Sequence, residues 1–171
     1  MPDTLKMCRG GGAPCIVAAD DRVAMRDLVA PMLRNRGFDV VVASDGDAAL
    51  AVILADGADG LVSDLQMPGL DGLMLCRVLQ GLRAYAALPI VLFTGVAEAD
   101  PRLLPLRHIN ELRVLHKPMG LREIAPAFME MIPTTATGSG AELDARSASR
   151  NTLGGDGVSA TRRVRGGTFA P

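Results

Sequence analysis

The chain has no tryptophan and only five aromatic residues, Phe38, Tyr85, Phe93, Phe128 and Phe169, too few rings for a platform on which bases or sugars stack. It has no excess of positive charge either. Its 18 Lys and Arg stand against 19 Asp and Glu, a formal net charge of −1, so the basic footprint of a nucleic-acid binder is missing. No apolar run approaches the roughly 18 residues of a membrane span, and residues 1–14 lack the apolar stretch of a signal peptide. A cytoplasmic protein without a membrane partner is expected. Cysteine is scarce: Cys8, Cys15 and Cys76 are an odd number at the spacing of no metal knuckle, and two of them fall in apolar segments. All three are therefore expected to be reduced.

What is present is enough apolar residue for a core, 49% of the chain, unevenly spread. Residues 1–14 carry Gly10-Gly11-Gly12 and Pro14 with little to bury, and read as a flexible lead. Residues 133–171 contain seven Gly, ten Ser or Thr and two Pro among 39 residues, too little apolar surface to offset the entropy of ordering. That segment is expected to be a disordered tail. Its five Arg against three acids, with Arg162-Arg163-Val164-Arg165 together, read as a solvated charge run. The tail offers no room for a helix-turn-helix or an enzymatic output domain, so direct DNA contact is not expected. One domain remains, residues 15–132.

Within it, short apolar runs alternate with helix-period stretches. The runs are Ile16-Val17-Ala18-Ala19, Val40-Val41-Val42-Ala43, Leu61-Val62, Ile90-Val91-Leu92-Phe93 and Val114-Leu115. They are short, rich in β-branched residues and apolar at successive positions, as strands covered on both faces are. Between the first two, Met25, Leu28, Val29, Met32 and Leu33 recur on one helical face that ends at Gly37. Leu73, Leu75, Cys76, Leu79 and Leu82 form a second stripe. The alternation predicts an α/β fold with a doubly wound, five-stranded parallel sheet. Prolines oppose it in places: Pro31 and Pro126 each remove a helical bond at about 3 kcal/mol or force a kink. Pro101 and Pro105 limit residues 95–112 to short, irregular helical pieces.

In such a sheet the ligand site lies past the carboxyl ends of the strands. There the sequence places Asp20 and Asp21 after the first run, Asp64 after the third, Thr94 after the fourth and Lys117-Pro118 after the fifth. Ser44-Asp45-Gly46, after the second, contributes nothing evident. Singly these residues have ordinary explanations: a helix cap for the acidic pair, turns for Asp64 and Thr94-Gly95, an exposed loop for Lys117-Pro118. Jointly they converge on one rim. Three clustered carboxylates repel by several kcal/mol per pair at an effective dielectric near 20, so they take up protons or bind a cation. Hard oxygen ligands suit Mg²⁺, and a Lys ammonium and a Thr hydroxyl opposite would meet the oxygens of a phosphoryl group.

The acidic pair Asp20-Asp21, the stretch Asp64-Leu65-Gln66-Met67-Pro68-Gly69-Leu70-Asp71-Gly72, Thr94-Gly95 and Lys117-Pro118 resemble the receiver domain of two-component response regulators, the CheY-like family. The resemblance spans residues 15–132 and implies a flavodoxin-like sheet of order 2-1-3-4-5. It implies that Asp64 accepts a phosphoryl group from a histidine kinase or a phosphotransfer protein. By the same resemblance Asp21, Asp64 and the backbone carbonyl of Gln66 ligate Mg²⁺ directly, Asp20 through water. Lys117 pairs with the phosphoryl oxygens, and Thr94 moves toward them as the switch. Family members usually carry an aromatic residue three positions before the lysine, where this chain has Val114. In this, and in its proline-bearing fourth connection, the chain is similar to a subgroup of single-domain receivers with a flexible fourth helix. His108 and His116 are read as a loop residue and a strand-end neighbour, not as ligands.

The resulting expectation is a phosphoacceptor that is not an enzyme acting on other molecules, and that serves as a phospho-dependent adaptor for a downstream protein or as a phosphate sink. Two competitors are weighed. A small phosphatase with an Asp nucleophile would need a second Asp two positions on, where Gln66 stands. A phosphorylation-independent interaction module would keep the fold but not need the intact acidic pair, Asp64, Thr94 and Lys117.

Overall fold

The computed structural model describes residues 12–106, 108, 109 and 111–132. The expectations for residues 1–11 and for the tail 133–171 lie outside them. All five expected strands form: β1 Cys15–Ala19, β2 Asp39–Ala43, β3 Gly60–Ser63, β4 Ile90–Thr94 and β5 Leu112–His116. They pair in parallel in the order β2-β1-β3-β4-β5. The order reverses between β1 and β3, which places a crevice beyond their carboxyl ends.

Alternation along the strands divides the core between the two faces. On one face Val17, Ala19, Leu61, Ile90 and Leu92 pack with helices α2 (Gly46–Asp56) and α3 (Gly72–Gly81) through Ile53, Leu75, Cys76 and Leu79. On the other, Ile16, Ala18, Val62, Val91 and Phe93 meet α1 (Val23–Arg34) and α4 (Ile124–Met131) through Val29, Leu33 and Phe128. The Phe128 ring sits edge-on to Phe38 with centroids 6.2 Å apart. The central strands are buried at every position, as expected, but the edges are not. Val42 of β2 is exposed and β5 is only partly covered, with Arg113 exposed.

The helices form largely where the stripes placed them. In α1, Val29 and Leu33 are buried, whereas Leu28 faces outward. α2 had no clear stripe, because the run Ala48-Ala49-Leu50-Ala51-Val52-Ile53-Leu54 is apolar nearly all round; its start is marked by Asp45, whose Oδ1 accepts the Ala48 N–H at 2.7 Å. Asp71 caps α3 in the same way, from Met74 N–H at 2.7 Å.

Pro31 lies inside α1 on its exposed side. Pro126 costs less than its sequence position implies. A 3₁₀ segment, Met119–Glu123, precedes α4, so Pro126 falls in the first α-helical turn, where an N–H has no intrahelical acceptor to lose. Between β4 and β5 the described residues contain no α-helix, only the 3₁₀ segment Pro101–Leu106 with Pro105 inside it. The expectation of reduced cysteines holds for Cys76, which is free and buried, and fails for Cys15, which is disulfide-bonded. The difference is position: Cys76 is enclosed within α3, while Cys15 opens β1 at the end of the sheet where the lead enters. Among the described residues no helix is long and apolar enough to cross a membrane.

Candidate phosphoryl-transfer site

Strand register builds the site. Ala19 pairs with Ser63, so the residues that follow them, Asp20 and Asp64, emerge side by side, and the Asp64 N–H bonds the Ala19 carbonyl at 2.9 Å. Thr94 pairs with His116, and the Lys117 N–H bonds the Thr94 carbonyl at 2.8 Å. Lys117 is thus delivered to the rim from the edge strand. The Lys117–Pro118 peptide is cis.

Asp20, Asp21 and Asp64 offer carboxylate oxygens that all lie within 4.8 Å of one another. Asp20 and Asp64 are buried, at 7% and 6% exposure, and Asp21 is exposed. The Lys117 ammonium bridges the buried pair, 2.7 Å from Asp20 Oδ2 and 2.8 Å from Asp64 Oδ2. Asp20 is no helix cap: α1 starts at Val23 with Arg22 in the cap position and no side-chain cap bond. Its Oδ1 accepts the Arg22 N–H at 3.0 Å instead. Gln66 directs its N–H to Asp64 Oδ1 at 3.4 Å. Thr94 is fully buried, and its Oγ1 accepts the Val96 N–H at 3.3 Å.

The loop after Asp64 is held by close backbone approaches. A Cβ on Gly72 would stand 2.2 Å from the Asp64 carbonyl oxygen, and one on Gly46 would stand 2.0 Å from that of Leu70. Gly69, at φ +73, makes the left-handed turn between them, and Asp47 Oδ2 accepts the Leu70 N–H at 3.3 Å. The end of β2 stays out of the chemistry. Hydrogen bonds from the Ala48 backbone and the Ser44 side chain hold the Asp45 carboxyl below the usual carboxylate range, as a helix cap.

Three residues of the site escaped the sequence reading. The Arg22 guanidinium lies 3.4 Å from Asp20 Oδ1 and 3.5 Å from Asp64 Oδ2. The Phe93 ring lies below Lys117 Nζ, 5.4 Å to its centroid, a cation–π distance. Ser63 Oγ donates to the Asp64 carbonyl at 2.8 Å. Only Phe93 carried a signal, through strand alternation before Thr94. Of the two histidines, His108 is exposed, and His116 Nδ1 lies 2.8 Å from the Val96 carbonyl oxygen.

The donor set fits a hard divalent cation: two buried carboxylates and one exposed one, all oxygen, open to solvent on the Asp21 side. An ammonium beside them can meet a second anionic group. Two positions after Asp64 the chain carries Gln66, not a second carboxylate.

Several known proteins are similar to the chain. The chain is 34% identical over 138 residues to the response regulator MprA of Mycobacterium leprae, a match covering 81% of this chain and 59% of that one. It is 37% identical over 91 residues to the DNA-binding response regulator MtrA of Mycolicibacterium paratuberculosis, covering 53% and 39%. The chain therefore spans about three fifths or less of the length of these curated relatives. Among solved structures, a response regulator receiver protein from Pseudomonas putida superposes with a TM-score of 0.63 at 23% identity, covering 71% of this chain and 99% of the other. The chemotaxis response regulator CheY4 of Vibrio cholerae gives 0.61 at 23%, covering 70% and 98%; both show the fold. With residues 16–128 matching the family model of the response regulator receiver domain, the chain belongs to the response regulator receiver family of two-component systems.

Proposed function

We propose that the chain accepts a phosphoryl group on Asp64 from a histidine kinase or phosphotransfer protein, and acts as a phospho-dependent adaptor or as a phosphate sink. The observation that carries the reading is the Lys117 ammonium set between the buried Asp20 and Asp64 carboxylates, with Asp21 beside them. An Asp64 carboxylate oxygen attacks phosphorus; an O–P bond forms as the donor's N–P bond breaks, and the imidazole nitrogen leaves with the bonding pair. Lys117 meets the charge of the transferred oxygens, and the Thr94 hydroxyl, at the end of the neighbouring strand β4, can donate a hydrogen bond to one of them. Mg²⁺ would neutralise phosphoryl charge, held directly by Asp21, Asp64 and the Gln66 carbonyl and through water by Asp20. The chain's own residues supply acceptor, charge and position, so the reaction needs no separate catalyst.

The DNA binding of MtrA is not carried over, because the match covers 39% of that protein. Adaptor and phosphate sink remain the two outputs, separated by the lifetime of the acyl phosphate. Val114, partly buried on β5 in place of an aromatic, favours the sink, or a module that works without phosphorylation; the intact charge cluster opposes the latter. Mass spectrometry after incubation with a small phosphodonor and Mg²⁺ should show one added phosphoryl group, absent from Asp64→Ala. Label that persists in that variant, or that forms fully in excess chelator, overturns the assignment.

A further inference from the structure

Arg22 directly follows the acidic pair and turns its guanidinium back over the site, Nε toward Asp20 Oδ1 at 3.4 Å and Nη2 toward Asp64 Oδ2 at 3.5 Å. Its side chain is 54% exposed. It therefore covers the site with charge from the solvent side, unlike Lys117, whose side chain is 10% exposed. The Arg22 N–H bond to Asp20 fixes the base of that side chain. Charge counting shows what a second cation does there. Counting only the side chains paired within the cluster, with Arg26 set aside because its guanidinium holds the Asp20 backbone carbonyl, Asp20, Asp21 and Asp64 carry −3 against +2 from Lys117 and Arg22, leaving −1. A divalent cation turns this to +1. Phosphorylation replaces the single charge of Asp64 by about two, which brings the site with both cations and the metal close to neutrality.

We propose that Arg22 is a second phosphoryl-binding cation that also competes with the divalent ion: its guanidinium draws on the Asp20 and Asp64 oxygens while Asp64 is a free carboxylate, and moves to the phosphoryl oxygens once they form. The proposal rests on Asp64 being the phosphoacceptor. Guanidinium suits both roles, because its fork of donors matches carboxylate and phosphate oxygens alike. The two roles act in opposite directions, and this gives the test a sign that general damage to the fold cannot imitate.

The test uses the full chain, with Mg²⁺ binding followed by calorimetry and beryllofluoride binding followed at saturating Mg²⁺ in wild type, Arg22→Ala and Arg36→Ala. Arg36 is exposed in the turn after α1, away from the site, and controls for net charge. Exposed ion pairs are weak, so each change is set at about three- to fivefold. Arg22→Ala should bind Mg²⁺ that much more tightly and beryllofluoride that much more weakly, with Arg36→Ala unchanged. Both affinities moving the same way, neither moving, or an equal effect in Arg36→Ala overturns the role of Arg22. Wild type that binds Mg²⁺ but no beryllofluoride marks a failure of the phosphoacceptor reading itself, and the proposal falls with it.

Discussion

Lys117 Nζ stands 2.8 Å from Asp64 Oδ2, with both side chains at least nine-tenths buried, and it makes a matching contact with Asp20. Removing Lys117 leaves two buried like charges facing each other with only the longer contacts of the exposed Arg22 guanidinium to offset them. Lys117→Ala should lose about 2–4 kcal/mol of stability at neutral pH in urea unfolding, and added Mg²⁺ should restore part of that loss. The variant should keep metal binding and give no spectroscopic response to beryllofluoride. An unaltered response would remove Lys117 from the phosphoryl site.

Gly72 opens α3 against the acceptor. An added Cβ would lie 2.2 Å from the Asp64 carbonyl oxygen and 3.0 Å from Leu65 Cα, backbone atoms with nowhere to go. Gly72→Ala should therefore cost about 2–3 kcal/mol by overpacking and slow phosphodonor labelling by displacing Asp64. Gly81→Ala, which has open space around its Cβ, is the matched control and should label at the wild-type rate.

The residues gathered at the candidate site were legible because each follows an apolar run, and parallel pairing brings such ends together whatever the loops do. Asp20, Asp64, Thr94 and Lys117 needed only strand order and register. Arg22 was not legible, since a side chain that folds back over the site resembles any surface arginine in the sequence. Pro126 misled because its cost depends on where the α-helix begins, and the 3₁₀ segment ahead of it has no pattern of its own. Cys15 misled for a similar reason: an apolar neighbourhood argues for a buried thiol, and Cys15 is buried, yet burial does not exclude a bond made at the strand's entry.

Cys76 makes the pH dependence testable. Burial pushes its thiol up to about 12 from an ordinary value of 9.0, with the Asp71 charge adding to the effect. A thiol raised in the folded state favours folding fully below pH 9.0 and loses that contribution as pH rises toward about 12, because the unfolded chain releases the proton first. Cys76→Ala should flatten the decline in stability above pH 9, after a constant penalty for the small cavity. The native thiol should also resist thiol reagents at pH 8 and react once urea is added.

The last prediction concerns a switch with no aromatic lever. Val96 is gripped from two sides: its N–H bonds Thr94 Oγ1 at 3.3 Å, and its carbonyl accepts from His116 Nδ1 at 2.8 Å, so that ring nitrogen carries the proton. Thr94 ends β4 and His116 ends β5 beside it, so one residue joins the hydroxyl at the phosphoryl site to the edge strand. Val114, two residues before His116, is short and nearly fixed at χ1 and cannot sweep a surface. The segment beyond Val96 is the softer part. It holds only three-residue hydrogen-bonded turns, anchored by the buried Leu103 and Leu106, and such segments open at low free energy. If the Thr94 hydroxyl turns to a phosphoryl group on Asp64, the position of Val96 should shift and the turns after it should reset. Hydrogen exchange should show amides from Val96 to Leu106 gaining protection on adding Mg²⁺ and beryllofluoride. Thr94→Ala should erase the gain, and His116→Ala should reduce it by releasing the carbonyl side of the grip. Equal protection with and without beryllofluoride in wild type would show that this segment does not respond, and would favour the phosphate sink, which needs no change of surface.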